Sequence, residues 1–556
     1  VHQSIAASSR PAERTTPQSA QDLWSIGVLP ILAAGALSGF LGLAWDISWH
    51  IDRGRDTFFT PPHDFLYAGL VTVLVAAVYG LCRDRRDTPF HLHAGPYRLH
   101  PGLLIVGAAG LLILAFAPLD DLWHRLFGRD VTLWGPMHLV GLLGMAAGRF
   151  GGLVCAWIER SLTQDERRRR LFDDLAMYFA VMLLAGMDVV VAEYEFVVPQ
   201  FPMIFHPILL AGLTVFPLVL IARLRPRPYA ATAVTIAFTL LRFLLAGWLA
   251  GVSHFDLAGI SRPIIPLLIP TGIAVDLLAA RGASGWISGL VAGAVTLAAN
   301  LVTIDAATPG AAGIRLFWSI GMFAQAAVPA LVASAFVGAG GSAAAAALGA
   351  PMESRRRGGS PRAMVWSGLA WPRQSMPARA TWASVFIAIV SAATLAAAAA
   401  AVRAAALPPP VPPVIRGQIR IAHGPAAGPS LVTVRIDPPS APHGRELLLS
   451  IFQPGGVINR QVLDPISPGV YRSKYVFPAA GVYGFWMRFG AGQAGFVSAG
   501  AIGVINAPGA VDDVITRFRS GLRRVPAYVQ PLGYTIFGLI AVLTLTGMGT
   551  VLSWMR

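Results

Sequence analysis

The stretch WDISWHIDRGRDTFFTPPH runs from Trp45 to His63, between an apolar segment that ends near residue 49 and another that begins near residue 64. Its two flanks, 25–49 and 64–83, are each close to the ~20 residues that a bilayer-crossing helix requires. The stretch is therefore the turn of a membrane hairpin. It holds Asp46, His50 and His63 at a membrane edge. A second stretch, DDLWHRLFGRDVTLWGPMH from Asp120 to His138, repeats the arrangement between the next two apolar segments.

The same pattern extends along the chain. Of 556 residues, 55% are hydrophobic and only 13% charged, with a mean hydropathy of +0.61. A soluble domain is about a quarter charged. Apolar segments fall at 25–49, 64–83, 101–119, 136–158, 171–192, 203–223, 229–252, 263–280, 284–303, 314–338, 382–405 and 529–552. The fold class expected is an all-α polytopic membrane protein of about twelve transmembrane helices, with a β-sandwich domain outside the membrane near the C-terminus. The arginine-rich segments CRDRRD (82–87), ERSLTQDERRRR (159–170), RLRPRP (223–228) and ESRRRGGSPR (353–362) all land on one face with these spans. By the positive-inside rule that face is cytoplasmic. The net charge of +15 is then a topology signal and gives no reason to expect a nucleic-acid partner. The lipid bilayer is the first partner, in what reads as a bacterial inner membrane. The only cysteines, Cys82 and Cys155, lie at or within apolar segments and cannot staple an outer domain.

Composition divides the chain further. Residues 1–23 are polar, have no signal-peptide pattern, and read as a cytoplasmic tail. A four-helix region covers 24–158 and a six-helix region 159–340. The Gly-, Ala- and Arg-rich stretch 341–381 reads as a flexible cytoplasmic linker before a helix at 382–406. In 407–525, LPPPVPPV is a stiff spacer, and TVRI, LLLSIF, VYRSKYVF and GVYGFWMRF bunch β-branched and aromatic residues between turns. That is the pattern of an extracytoplasmic β-sandwich. Residues 510–525 read as a short basic amphipathic segment, and 526–556 hold the final helix.

Asp46 and His50 are four residues apart, as are Asp120 and His124. On a helix that spacing places both side chains on one face. His63 and His138 follow a Pro closely and open the returning helices. Two imidazoles and one carboxylate with open positions can bind copper, iron or zinc together with an exogenous ligand. The alternative is a set of polar helix caps touching water and headgroups. Ionisable groups at membrane depth are functional by default, and the repetition of the pattern favours the metal reading.

The two stretches resemble the metal-site segments of the C-type membrane subunit of the particulate methane and ammonia monooxygenases, the copper membrane monooxygenases. That family carries Asp-x-x-Trp-His, then Arg-Asp-Thr-x-Phe-Thr-Pro-x-His; this chain has DISWH, then RDTFFTPPH and DFLY. The family's next motif is Asn-Glu-x-x-His with a Pro-x-His fourteen residues on; this chain has DDLWH and GPMH. The resemblance covers about residues 24–150. It implies copper at Asp46, His50 and His63, and again at Asp120, His124 and His138. It further implies oxidation of ammonia, methane or a short hydrocarbon with dioxygen. Quinol or another donor would supply electrons, and other monooxygenase subunits or further copies of the chain would be partners. A copper-binding or copper-delivery protein serving an oxidase or oxygenase is the alternative. Two departures stand out. Asp120 replaces the family's Asn, and the outer domain has only His423 and His443, too few for a cupredoxin copper centre.

Other residues are weaker candidates. MDVVVAEYEFVVPQFPMIFHP (187–207) echoes the arrangement with Asp188, Glu193, Glu195 and His206, as additional ligands or partners of ligands. Asp56 and Asp130, with Asp52, Arg53, Arg55 and Arg129, lie between the ligands and could orient imidazoles. His254 and Asp256 occupy the next outer loop, while HLHAGPYRLH (91–100) reads as a solvated cytoplasmic loop. Trp45, Trp49, Trp123 and Trp134 read as an interface belt.

Overall fold

Long apolar runs opened by proline and closed by arginine set the helices. The computed structural model describes residues 23–53, 60–84, 86, 88, 90–94, 97–127, 133–196, 201, 203–254, 263–303, 318, 320–356, 414–422, 429–437, 439, 447–452, 459–477, 481–490, 496–505, 514–521 and scattered positions between 535 and 549. A π-helical turn, Leu23–Val28, leads into α1 (Leu29–Arg53). There follow α2 (Pro61–Arg83), the short hairpin β1 (Leu92–Ala94) and β2 (Tyr97–Leu99), α3 (Pro101–Phe127) and α4 (Pro136–Leu162). Next come α5 (Glu166–Asp188), which continues through the turns Val189–Val191 and Ala192–Glu195, then α6 (Phe205–Leu224) and α7 (Ala230–His254). The membrane part ends in α8 (Ile269–Ala280), α9 (Gly285–Thr303) and α10 (Ile320–Arg356). Among the described residues, eight helices are long and apolar enough to cross a membrane.

Helices α1 to α4 pack as two hairpins, α1 on α2 and α3 on α4, joined through α2 and α3. Helix α5 links this group to the rest, touching α1 and α4 on one side and α6 and α7 on the other. Its start is set locally: Asp165 is the N-cap and accepts from the amides of Arg167 and Arg168. Small residues let backbones approach where packing is tightest. A Cβ on Gly69 would sit 2.8 Å from the Gly35 carbonyl oxygen, and one on Gly338 2.5 Å from Cα of Gly289.

Three expectations change here. The segment 263–280 is helical only from Ile269 onward; 263–268 is neither helix nor strand. Pro263, Pro266 and Pro270 remove backbone donors and disfavour helix before them. The linker expected from 341 begins instead as helix, because α10 runs through Arg356. Its SAAAAALGA run is Gly- and Ala-rich, but Ala is the strongest helix former. The basic segment at 510–525 contains a strand, β10 (Val514–Gly521), paired antiparallel to β3. VITRFRS alternates in the strand period rather than the helical one.

The C-terminal region is an antiparallel sheet of eight strands: β3 (Val414–Ala422), β4 (Ser430–Asp437), β5 (Leu447–Phe452), β6 (Asn459–Ser467), β7 (Val470–Tyr475), β8 (Gly481–Gly490), β9 (Phe496–Ile505) and β10. Their order is β10-β3-β4-β7-β6-β5-β8-β9. One continuous hydrogen-bonded order runs through all eight strands, and β6 is where its two halves meet. β6 pairs with β5 through Asn459–Leu463 and with β7 beyond it. Both halves nonetheless bury side chains in one core, including Ile421, Val432, Leu449, Tyr483 and Phe485. The helix expected at 382–405, His423 and His443 lie outside the described residues. Of 529–552, the described positions are helical.

Candidate functional site

Asp46 lies on α1 one turn before His50, and the N-terminal turn of α2 brings His63 to it. Asp46 Oδ1 and His63 Nε2 are 3.2 Å apart. Gly42, one turn back from Asp46, permits the approach: a Cβ there would fall 2.7 Å from the Leu66 amide nitrogen and 3.0 Å from the Pro62 carbonyl oxygen. Pro61 and Pro62 occupy the first turn of α2, where amide donors lack helical partners anyway. The second hairpin repeats the pairing. Asp120 Oδ1 on α3 and His138 Nε2 on α4 are 3.5 Å apart, with Pro136 opening α4 after the Gly135 cap. Side-chain exposure is 16% for Asp46, 21% for each histidine and 31% for Asp120, so both pairs are reachable from outside the protein core.

The walls are apolar. Trp45 packs edge-on to Phe65 and to Trp248 of α7. It is only 4% exposed, so it belongs to the core and not to an interface belt. Below the second pair, Leu112, Phe116, Met137 and Val140 form a buried layer with Ile540 from the C-terminal helix, and Trp123 packs against it. His50 and His124 lie on α1 and α3, but their side chains are outside the described residues, as are Asp56 and Asp130. The same holds for the side chains of Asp52, Arg53 and His254, and for Arg55, Arg129 and Asp256. Among the described residues, no three His, Cys, Asp or Glu side chains are grouped to hold a metal.

The third sequence candidate is engaged elsewhere. Asp188 and Glu195 face Arg242 of α7: Asp188 Oδ2 lies 3.4 Å from its Nη1, and Glu195 Oε2 pairs with its Nη2. Glu193 accepts from the Leu133 amide, and Trp134 donates to the Val190 carbonyl at 2.7 Å. These two bonds tie the end of α5 to the turn that carries the second pair. His206 accepts at Nδ1 from Trp318, at 3.1 Å, and stacks on Tyr194.

The arginine-rich end holds a network that sequence reading missed. HLHAGPYRLH is solvated only at its tip: Tyr97 and Arg98 are exposed, but His91 and His100 are 6% and 1% exposed. Arg86 donates to both oxygens of Asp84 and both oxygens of Glu159, at 2.7–2.9 Å. His91 Nε2 lies 3.2 Å from Asp84, and His100 Nε2 lies 3.6 Å from Glu159. Trp24 lies against the His100 ring, with centroids 4.4 Å apart. Burial pushes the Asp84 carboxyl up, but the hydrogen bonds from Arg86 and His91 outweigh it and hold it below the usual carboxylate range. Burial, reinforced by His91, pushes His100 well below the ordinary histidine range. The network fastens the α2–α3 connection to the end of α4.

Arg242, Arg149 and Asn300 were also passed over. Each is a polar residue inside an apolar run, which is itself the available signal. Their roles depend on partners far along the chain. Asn300, for example, accepts from the Leu267 amide at 3.0 Å and donates to its carbonyl at 3.2 Å. No family model, curated protein or solved structure matches the chain.

Proposed function

We propose that the chain is a membrane-embedded copper protein of the monooxygenase type, with metal held by Asp46, His50 and His63 and by Asp120, His124 and His138. The observation that carries this reading is the repeated carboxylate–imidazole pair at corresponding ends of two neighbouring helical hairpins. The spacing suits a shared ion. Two donors each about 2.0–2.2 Å from one metal, at angles near 90–110°, stand about 2.8–3.6 Å apart. The separations of 3.2 and 3.5 Å fall in that interval. The donor set of imidazole and carboxylate suits copper, with iron and zinc as competitors.

Bound copper would supply the site for dioxygen, and the substrate would be small and near-apolar, such as ammonia, methane or a short hydrocarbon. The chain's own residues bind and orient. Gly42 and the proline-opened helix starts fix the donor separations, and Trp45, Phe65 and Trp248 exclude water on one side. Electrons would come from quinol or another donor. Further monooxygenase subunits or copies of this chain are the expected partners, in a bacterial inner membrane with 407–525 outside. The partial exposure of both pairs favours a second reading, copper collection and delivery to an oxidase or oxygenase.

Metal analysis of the full chain in nanodiscs tests the site. His50→Ala and His63→Ala are expected to empty the first position and leave the second filled, and His124→Ala and His138→Ala to do the reverse. Asp120→Asn retains metal, since it restores the ligand type of the family resembled. Full metal content in all four histidine variants would reduce the pairs to helix caps. Substrate-dependent dioxygen uptake by the loaded protein, against copper transfer to a chelator, separates the enzyme from the carrier.

A further inference from the structure

The apolar segment 263–280 is helical over only part of its length. Helix α8 has twelve residues and spans about 18 Å at 1.5 Å per residue. Residues 263–268 ahead of it are neither helix nor strand. Non-helical backbone at membrane depth persists only where protein or an aqueous cavity satisfies its polar groups. Here named side chains do so. Arg242 Nη2 donates to the Ile264 carbonyl at 2.7 Å, and the Ile264 amide donates to the Glu195 carbonyl at 2.9 Å. Asn300 holds both polar groups of Leu267. At the other end, Arg223 and Arg225 donate to the Ala283 and Ala279 carbonyls near the α8 C-terminus.

The clasp on Ile264 is charged, and its charges do not balance. Asp188, Glu195 and Arg242 are exposed by 1%, 1% and 2%. Two carboxyls stand against one guanidinium. The charged groups around them do not correct this. Glu193 adds a third carboxyl on the same turn, and Arg149, from α4, packs against Gly186 and adds a second guanidinium. Among the described residues, Arg242 is the one arginine paired with Asp188 and Glu195. His206 is committed at Nδ1 to the Trp318 N–H, and Tyr194 stacks on it as a phenol. An uncompensated charge out of water costs several kcal/mol, so a buried site of this kind takes up a positive partner. The unfilled acceptors mark where it sits. Both oxygens of Asp188 and Oε1 of Glu195 are buried without a hydrogen-bond donor. The two carboxyls are also within hydrogen-bonding reach of each other.

We propose that Asp188 and Glu195 form a proton-binding site in the second helical group, sharing one proton across the pair beside Arg242. The shared proton donates from one carboxyl to the other. It restores charge balance and leaves Arg242 free to hold Glu195 Oε2 and the Ile264 carbonyl together. Proton binding is thereby linked to the anchoring of the non-helical segment 263–268, through the same guanidinium. This site stands apart from the two Asp–His pairs and does not depend on metal there.

Infrared spectroscopy of the full chain in nanodiscs tests it. At neutral pH the wild-type protein should show the carbonyl stretch of a protonated, buried carboxyl that shifts when aspartate or glutamate is isotope-labelled. Asp188→Asn and Glu195→Gln should each lose that band, because one remaining carboxyl then faces one arginine. Glu195→Gln has the shape of the protonated acid and should fold. Labelling of the wild-type chain reads the protonation state even if a variant does not fold. A wild-type spectrum without such a band, or a band untouched by both substitutions, overturns the proposal. Loss of the band when sodium chloride replaces choline chloride would assign the site to a metal cation instead, and would also overturn it.

Discussion

The four-helix group carries polar clusters at both ends, and the two ends are built oppositely. At the arginine-rich end, Arg86 makes four charge-assisted bonds to Asp84 and Glu159, whose side chains are 2% and 1% exposed. At the other end, Asp46–His63 and Asp120–His138 are pairs of side chains that are 16–31% exposed. A buried, mutually paired network holds helices together and is closed to a ligand from outside. A reachable pair adds less to the fold and lies where a ligand can arrive. The difference separates the residues that build the scaffold from those that act on something else.

The sharpest way to break this contrast is to remove one partner at each end. Arg86→Met leaves two carboxylates buried without their cation, and should destabilise the chain by about 3–5 kcal/mol. Asp46→Asn keeps a hydrogen-bonding shape and should change metal-free stability by about 0.5–1.5 kcal/mol, while emptying the first metal position. Unfolding in mixed detergent reads both. Equal losses would mean that the two ends serve the same structural purpose.

A smaller effect tests whether helix approach controls the first pair. Gly42→Ala places a methyl against the Leu66 amide and the Pro62 carbonyl, and should cost about 1–3 kcal/mol while lowering metal content at the first position only. The control is Gly141 on α4, where an added Cβ meets nothing within 4 Å. Gly141→Ala should be neutral or stabilise by roughly 0.5–1 kcal/mol, as Ala does over Gly in a helix. If both variants behave alike, the α1–α2 crossing does not set the Asp46–His63 separation.

The mildest test is acidity. His100 is held below its ordinary range, so the unfolded chain binds a proton there more readily than the native one. Stability from this group is complete above the unfolded value of about 6.5 and declines as pH falls below it. Asp84 is depressed as well, and its contribution is lost further down, as pH falls below the unfolded carboxylate value of about 3.9. His100→Gln should flatten the first decline and leave the second. An unchanged profile would place the acid sensitivity elsewhere.

Much of this was legible in the sequence, for reasons that differ by region. The hairpins follow from run length and from prolines at helix starts, and the Asp46–His63 and Asp120–His138 pairs from local spacing across one turn. The network at Arg86 was not legible, because its partner Glu159 lies 73 residues away and nothing in HLHAGPYRLH shows that the end of α4 covers it. Arg242 suffers the same limit, since its carboxylates come from another helix 47 residues back. The late start of α8 at Ile269 was legible in Pro263, Pro266 and Pro270.

The layer beneath Asp120 and His138 has a consequence for how the protein is made. Its member Ile540 is encoded roughly 400 residues after His138. At about 5–20 residues per second, the ribosome needs on the order of 20–80 s to reach it. Trp248, which walls the first pair, arrives about 200 residues after Trp45, in half that time or less. The two halves of the repeat therefore mature at different moments of synthesis. The first pair is enclosed while the β-domain is still unmade, and the second waits for the last helix to return to the helices made first.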